Sequence, residues 1–252
     1  MNPTTLELIW FLLICVLWTG YLVLEGFDFG AGALLRVLGR TDEERSALLR
    51  TFGPVWDGNE VWLLVAGGAT FAAFPQWYAT LFSGFYLALF VLLVALILRN
   101  VGIEFRGKGD TLRWRNGWEW CVVIGSAVPA VLLGVAWANI AHGVPLTADG
   151  EYAGTFWTLL NPYAVAGGVT SLVLFLAHGT HFLSLRTHGV LHDRALAAAR
   201  RTAPAALAVT TVFAAWTLAL QDGIEPLSAA LAGIAVLAAA GAVLRSRAGA
   251  EG

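Results

Sequence analysis

The sequence predicts an all-α, polytopic membrane protein: one bundle of seven transmembrane helices, N-terminus outside and C-terminus cytoplasmic. Three observations predict this fold, namely composition, the length of the apolar runs and the placement of basic residues. Of the 252 residues, 58% are apolar and only 13% are charged, whereas soluble domains carry about 25% charged residues. Because so few charges cannot cover a globular surface, the composition argues against a soluble enzyme or a disordered chain.

Seven apolar segments are long enough to cross a bilayer, which requires about 20 residues each. They are 6–25, 52–74, 77–98, 119–140, 159–185, 203–220 and 226–244. The first continues into an apolar tail, Gly26–Leu38, which is compatible with a break, an interfacial turn or a long tilted helix. It lacks a basic leader and a small-residue cleavage site, so we expect a retained helix rather than a signal peptide.

The basic residues lie at alternate connections. All 15 Lys and Arg follow segments 1, 3, 5 and 7, and the other connections contain none. Two of those other connections carry acids instead, which are Asp149, Glu151, Asp222 and Glu225. Cytoplasmic loops are enriched in Lys and Arg, so the alternation predicts an odd number of spans and sets their orientation. A soluble seven-helix bundle has no reason to sort its charge in this way, and we expect a single membrane domain over 1–252.

Four acidic residues lie inside or beside apolar runs: Glu25, Asp28, Asp57 and Glu60. A charge at membrane depth costs roughly 3 to over 10 kcal/mol, so such groups face protein or water. Each pair is spaced i,i+3 and shares a helix face. Counted from the nearest loop arginine at 1.5 Å per residue, Asp28 and Asp57 lie about 10–12 Å above the cytoplasmic charges. We therefore expect four carboxylates at one depth.

Arg99, at the cytoplasmic end of the third segment, is the predicted counter-ion, and Glu104 follows it. Asn59 lies between the acids of the second segment and can bond a carboxylate or a neighbouring helix. Like charges in a low-dielectric site cannot all ionise, so at least one carboxyl is expected to hold a proton. This chemistry suits a proton relay entered from the cytoplasm. A structural ion-pair role at a subunit contact is the alternative.

Two histidines, His178 and His181, are spaced i,i+3 near the cytoplasmic end of the fifth segment. Together they can in principle share a metal or contact a haem. No carboxylate or cysteine on the same helix completes such a site, so we expect polar helix–helix contacts and no metal. No nucleotide-binding loop occurs, and no nucleic-acid partner is expected.

A series of motifs makes the sequence recognisable. In order they are GFDFGAGAL (26–34), GPVWDGNEVWLLVAGGATFAAFP (53–75), FSGFYLAL (82–89), LILRNVGIEFRGK (96–108), RWRNGWEW (113–120) and LLNPYAVAGGV (159–169). From Gly26 to about Gly189 the chain resembles subunit II of the cytochrome bd-type quinol oxidase family. The order and spacing of the motifs are those of the family, and the sixth segment onward is similar only in hydropathy.

The resemblance implies a function. Family members pair with a homologous subunit I, which carries the b and d haems and the quinol-binding loop. The complex oxidises quinol, reduces oxygen to water with cytoplasmic protons and builds a proton-motive force across the cell membrane of a bacterium or archaeon. Subunit II supplies no haem ligand. Small accessory subunits, lipid and quinone are the other partners that the resemblance implies.

Residue roles follow from the motifs one at a time. Asp28 is the aspartate of GFDFG, Asp57 is that of WDGN, and Arg99 is the arginine after the third segment. In the family these positions are associated with assembly, haem stability or a proton route. Some relatives have His before the tryptophan of WDGN where this chain has Val55, so a relay step through that imidazole is absent or replaced.

The resemblance also implies a division of the chain. Residues 1–140 correspond to a four-helix unit facing subunit I, and 141–252 to three further helices, about two fewer than the family has. Two other functions remain open at this point, a stand-alone proton-coupled transporter and a purely structural scaffold subunit.

Overall fold

The computed structural model describes residues 3–221, 223 and 225–248. Within them the chain forms ten α-helices: α1 Thr5–Ala33, α2 Leu35–Leu38, α3 Asp42–Phe52, α4 Trp56–Ala73, α5 Pro75–Gly84, α6 Tyr86–Phe105, α7 Leu112–His142, α8 Pro162–Arg186, α9 Val190–Ala219 and α10 Pro226–Ala248. Two short 3₁₀ helices occupy Arg106–Lys108 and Phe156–Leu160. The described residues contain no strand, only one antiparallel bridge between Leu146 and Tyr152. The all-α prediction is confirmed.

Six of the described helices are long and apolar enough to cross a membrane: α1, α6, α7, α8, α9 and α10. Helix α4 is not among them, although its 18 residues correspond to about 27 Å of helix. Its first turns carry Asp57, Asn59 and Glu60, and these polar residues lower its mean hydropathy. The count of seven spans and their orientation therefore remain predictions. Asp222, one of the acids used for orientation, lies outside the described residues.

Several helix bounds differ from the predicted segments. The first helix runs on through the apolar tail to Ala33 and breaks at Leu34, which leaves the short α2 as a separate turn. The segment predicted at 77–98 is wrong as a single helix, because α5 and α6 meet at Phe85 and α6 continues to Phe105. A hydropathy window averages over such a bend and cannot show it. Helix α3 begins with a Thr41–Glu44 capping box. It was not predicted, because it is polar and only apolar segments were considered as helices.

Helix α1 is central to the bundle and packs against α4, α7 and α8, while α6 to α10 pack in chain order. The crossing of α1 and α8 depends on two glycines. A Cβ on Gly30 would lie 1.8 Å from the carbonyl oxygen of Phe175, and one on Gly179 would lie 2.5 Å from the nitrogen of Ala31. Small residues let helix backbones approach closely inside a membrane, so this pair sets how deeply α8 seats on α1.

Two apolar clusters border the region where polar groups meet. One, nearer the connections that carry the basic residues, joins α1 to α2, α3, α7, α8 and α9 around Leu35, Phe52 and Leu183. The other joins α1 to α6, α7 and α8 around Tyr21 and Phe29. Many large apolar side chains point outward, for example Leu64, which is 73% exposed. Such a surface suits a lipid or subunit contact rather than water.

Candidate functional site

Arg99 of α6 lies at the centre of a buried polar cluster. Its side chain is fully buried, and both terminal nitrogens bind Glu25, with Nη1–Oε1 and Nη2–Oε2 distances of 3.2 and 3.0 Å. Nη1 also donates to Glu60 Oε1 at 2.9 Å. A two-pronged Arg–carboxylate contact is strong and directional. Glu25 is therefore the principal partner of Arg99, and Glu60 of α4 is the second.

Asp28 and Asn59 complete what we call the Arg99 cluster, consisting of Glu25, Asp28, Asn59, Glu60 and Arg99. The amide of Asn59 donates to Asp28 Oδ2 at 2.7 Å and to the carbonyl of Leu24 at 3.3 Å. Asp28 Oδ2 lies 3.8 Å from Arg99 Nη2, which is beyond direct hydrogen-bond distance. Asn59 thus ties α4 to α1 and orients one oxygen of Asp28 toward the guanidinium.

The sequence of α1 explains this placement. Glu25 and Asp28 share one helix face, while Gly30 allows the close crossing with α8. The guanidinium carbon of Arg99 lies over the ring of Phe29, 4.9 Å from its centroid, which is a cation–π distance. Three carboxylates thus surround one guanidinium in a site shielded from water. If all were ionised the cluster would hold two excess negative charges, an expensive arrangement at low dielectric.

Two predicted site residues lie outside the Arg99 cluster. Asp57 is exposed and does not join the other three carboxylates at Arg99; the common depth of the four acids stays a prediction. At 100° per residue, Asp57 and Asn59 point in directions about 160° apart on α4. Asn59 faces α1, so Asp57 faces away from it. Glu104 is also exposed, on the last turns of α6.

The sequence reasoning missed Glu119, a fully buried carboxylate in α7. Its oxygens accept from Arg36, from Arg45 Nε at 2.9 Å and from Arg106 Nη2 at 2.8 Å. Arg106 Nη2 also binds Asp42 Oδ1 at 2.7 Å. The loop arginines were interpreted only as orientation signals. The available signal was one acid in the RWRNGWEW motif, where a basic loop enters an apolar helix.

A neighbouring contact ties α3 to α9. Glu44 caps α3 through Thr41 and accepts from Arg194 Nη1 at 2.7 Å. The hydrogen bond from Arg194 and that from the Arg40 amide lower the pKa of Glu44 to about 2. The carboxylate is therefore ionised at any physiological pH, and this connection acts as a structural tie.

The two histidines of α8 make contacts within the bundle. His178 is exposed and its ring meets Phe27 edge-on, with 5.7 Å between centroids. His181 Nδ1 is bonded to the Ala177 carbonyl at 2.7 Å. In the part of the chain that the structure describes, no group of three or more His, Cys, Asp or Glu is placed to hold a metal ion. We assign no haem-dependent step to these side chains.

The fold is that of a known class of membrane subunit. It is similar to a chain of "The structure of bd oxidase from Geobacillus thermodenitrificans", with a TM-score of 0.73 and 20% identity over 85% of this chain and 66% of that one. The family described as "Cytochrome bd terminal oxidase subunit II" matches residues 6–252. The chain belongs to this family, which confirms the resemblance drawn from the motifs.

Curated relatives carry names consistent with that family. The chain is 44% identical over 222 residues to "Cytochrome bd-I ubiquinol oxidase subunit 2" of Escherichia coli (strain K12), covering 86% of this chain and 59% of the relative. It is also 44% identical over 207 residues to "Cytochrome bd ubiquinol oxidase subunit 2" of Bacillus subtilis (strain 168), covering 82% and 61%. The chain therefore spans about three fifths of the length of these relatives.

Proposed function

We propose that this chain is subunit II of a quinol:oxygen oxidoreductase in a bacterial plasma membrane. Its partner is a subunit I that holds haem b and haem d and binds quinol, so this chain is not catalytic alone. Family membership over residues 6–252 is the observation that carries the proposal. The names of the relatives at 44% identity support the reaction class.

The proposed topology has seven spans, with α4 as the seventh in addition to the six apolar helices. At about 27 Å α4 nearly matches the roughly 30 Å hydrocarbon core. All 15 basic residues then lie on one side, which places the N-terminus outside and the C-terminus in the cytoplasm.

We propose that subunit I docks on α4, within the unit formed by residues 1–140. Among the described helices α4 packs chiefly on α1 and touches α5. Its outer face exposes Leu64 and Val61, and a Cβ on Gly58, Gly67 or Gly68 would meet nothing within 4 Å. An apolar face with room for a second backbone suits a helix–helix contact in the membrane. Asp57 would then lie at that contact.

The proposed role of the Arg99 cluster is to hold and pass protons toward subunit I. Glu60 keeps 14% of its side chain exposed, whereas Glu25, Asp28 and Arg99 are fully buried. Since Glu60 lies on α4, it is the group through which the cluster can exchange protons at the proposed subunit contact. Excess carboxylates around one guanidinium provide the proton-holding capacity.

The scaffold function is the second candidate, because the single side chain of Arg99 in α6 binds Glu25 of α1 and Glu60 of α4. Co-expression with and without subunit I tests both candidates. Haem spectra and quinol-dependent oxygen uptake should require both chains, and proton movement in liposomes by this chain alone would instead favour a transporter. Within the complex, Glu60→Gln should slow oxygen uptake and leave the haem spectrum intact. Loss of haem together with activity would favour the scaffold.

A further inference from the structure

Tyr21 of α1 is fully buried and is not a member of the Arg99 cluster. Among the described residues, its hydroxyl has no hydrogen-bond partner. Buried hydroxyls are nearly always paired, because removing one from water without a partner costs free energy. The hydroxyl of Tyr21 therefore calls for a partner other than these protein groups.

Tyr21 lies about one helical turn before Glu25 on the same face of α1. Tyr21 and Phe29 are eight residues apart, which corresponds to about 12 Å along a helix, yet their ring centroids are only 6.5 Å apart. At least one of the two side chains must therefore incline toward the other along α1. Glu25 lies midway on the same face, and Phe29 carries the guanidinium of Arg99 at 4.9 Å. The phenol thus borders the carboxylates on the side away from the cytoplasmic loops.

Two further buried atoms of the cluster have no hydrogen-bond partner in the described part of the chain, Asp28 Oδ1 and Arg99 Nε. The adjoining contact, from Arg99 Nη2 to Asp28 Oδ2, measures 3.8 Å. Polar groups at such a separation are commonly bridged by water. Internal water typically binds two to four buried polar groups that the protein leaves unpaired. Three such groups occur here around one acidic cluster.

We propose that the Tyr21 hydroxyl, Asp28 Oδ1 and Arg99 Nε bind internal water, and that Tyr21 is a positioning residue for proton transfer beyond Glu25. This inference rests on the proposed function. A tyrosine hydroxyl accepts one hydrogen bond and donates another, so it orients water while keeping its own proton. Tyr21 extends the polar face of α1 by about one helical turn, from Glu25 toward the middle of the membrane.

Tyr21→Phe in the complex with subunit I tests this role, because it removes the hydroxyl and keeps the ring. Proton uptake during oxygen reduction should slow about fivefold, the rate equivalent of one lost hydrogen bond, and its solvent deuterium isotope effect should change. Tyr163→Phe is the matched control, since that buried hydroxyl bonds Thr217 at 2.8 Å on α9. The control should keep wild-type uptake, and both variants should keep the wild-type haem spectrum.

A density map of the wild-type complex at high resolution provides the second measurement. It should show water within hydrogen-bond distance of Tyr21 Oη, and its absence there would overturn the inference even if Tyr21→Phe proved unstable. If Glu60→Gln slows proton uptake while Tyr21→Phe does not, this inference fails and the proposed function stands. If neither variant slows uptake, the proposed proton route fails and this inference fails with it.

Discussion

Replacing Arg99 with Met should destabilise the complex more than replacing any exposed arginine. The change removes three hydrogen bonds to Glu25 and Glu60 and leaves buried carboxylates without a cation. Removing one partner of a buried ion pair typically costs about 3–5 kcal/mol. At about 2–4 °C per kcal/mol for a chain of this size, the midpoint of thermal unfolding should fall by about 10 °C.

The assay is thermal unfolding of the purified complex in detergent, with haem retention as the parallel readout. Arg113→Met is the control, because Arg113 is exposed and its replacement should shift the midpoint little. The double variant Arg99→Met with Glu25→Gln should recover part of the loss, since it removes both members of the principal pair. Additive effects of the two single changes, or an unchanged midpoint for Arg99→Met, would refute the reasoning.

Three other changes test separate parts of the structure. Glu60→Gln should slow proton uptake by the complex at least fivefold without altering the haem spectrum, as stopped-flow measurement with a pH dye will show. Glu44→Gln should destabilise the protein at pH 7. Because the pKa of Glu44 is lowered to about 2 in the folded chain, the stability that its carboxylate contributes is complete above the unfolded pKa of about 4.3. The thermal unfolding midpoints of wild type and variant should therefore converge as the pH falls through about 2. Gly30→Ala should lower the free energy of unfolding by about 1–3 kcal/mol or more, since the new Cβ would overlap backbone atoms of α8. Gly233→Ala is the control, because a Cβ there meets nothing within 4 Å. Comparable instability of the two variants would contradict this explanation.

Much of the Arg99 cluster could be anticipated from the chain. Spacing placed Glu25 with Asp28 on one face of the first helix, and depth placed Arg99 near them. The same reasoning expected Asp57 at the depth of these acids and could not show that its side chain lies outside the Arg99 cluster. Spacing gives the angle between two side chains on one helix, but not which of them turns toward the neighbouring helix.

Glu119 shows the opposite kind of error. Its arginine partners were visible in the sequence as a set of cytoplasmic charges, and the charge rule needs only their side of the membrane. Their convergence depends on how α2, α3 and the start of α7 pack over one end of the bundle. That packing involves residues up to 83 positions apart, which no local pattern relates.

The sequence by itself determined the all-helical class and the family. These properties depend on composition, helix length and motif order, all of which are local or additive along the chain. Only the tertiary structure decided that Glu25, Asp28 and Glu60 share Arg99, that Asp57 stays outside, and that the hydroxyl of Tyr21 is buried without a protein partner among the described residues. Those outcomes depend on which helix faces meet, and the close crossing at Gly30 and Gly179 sets this through steric fit between distant segments.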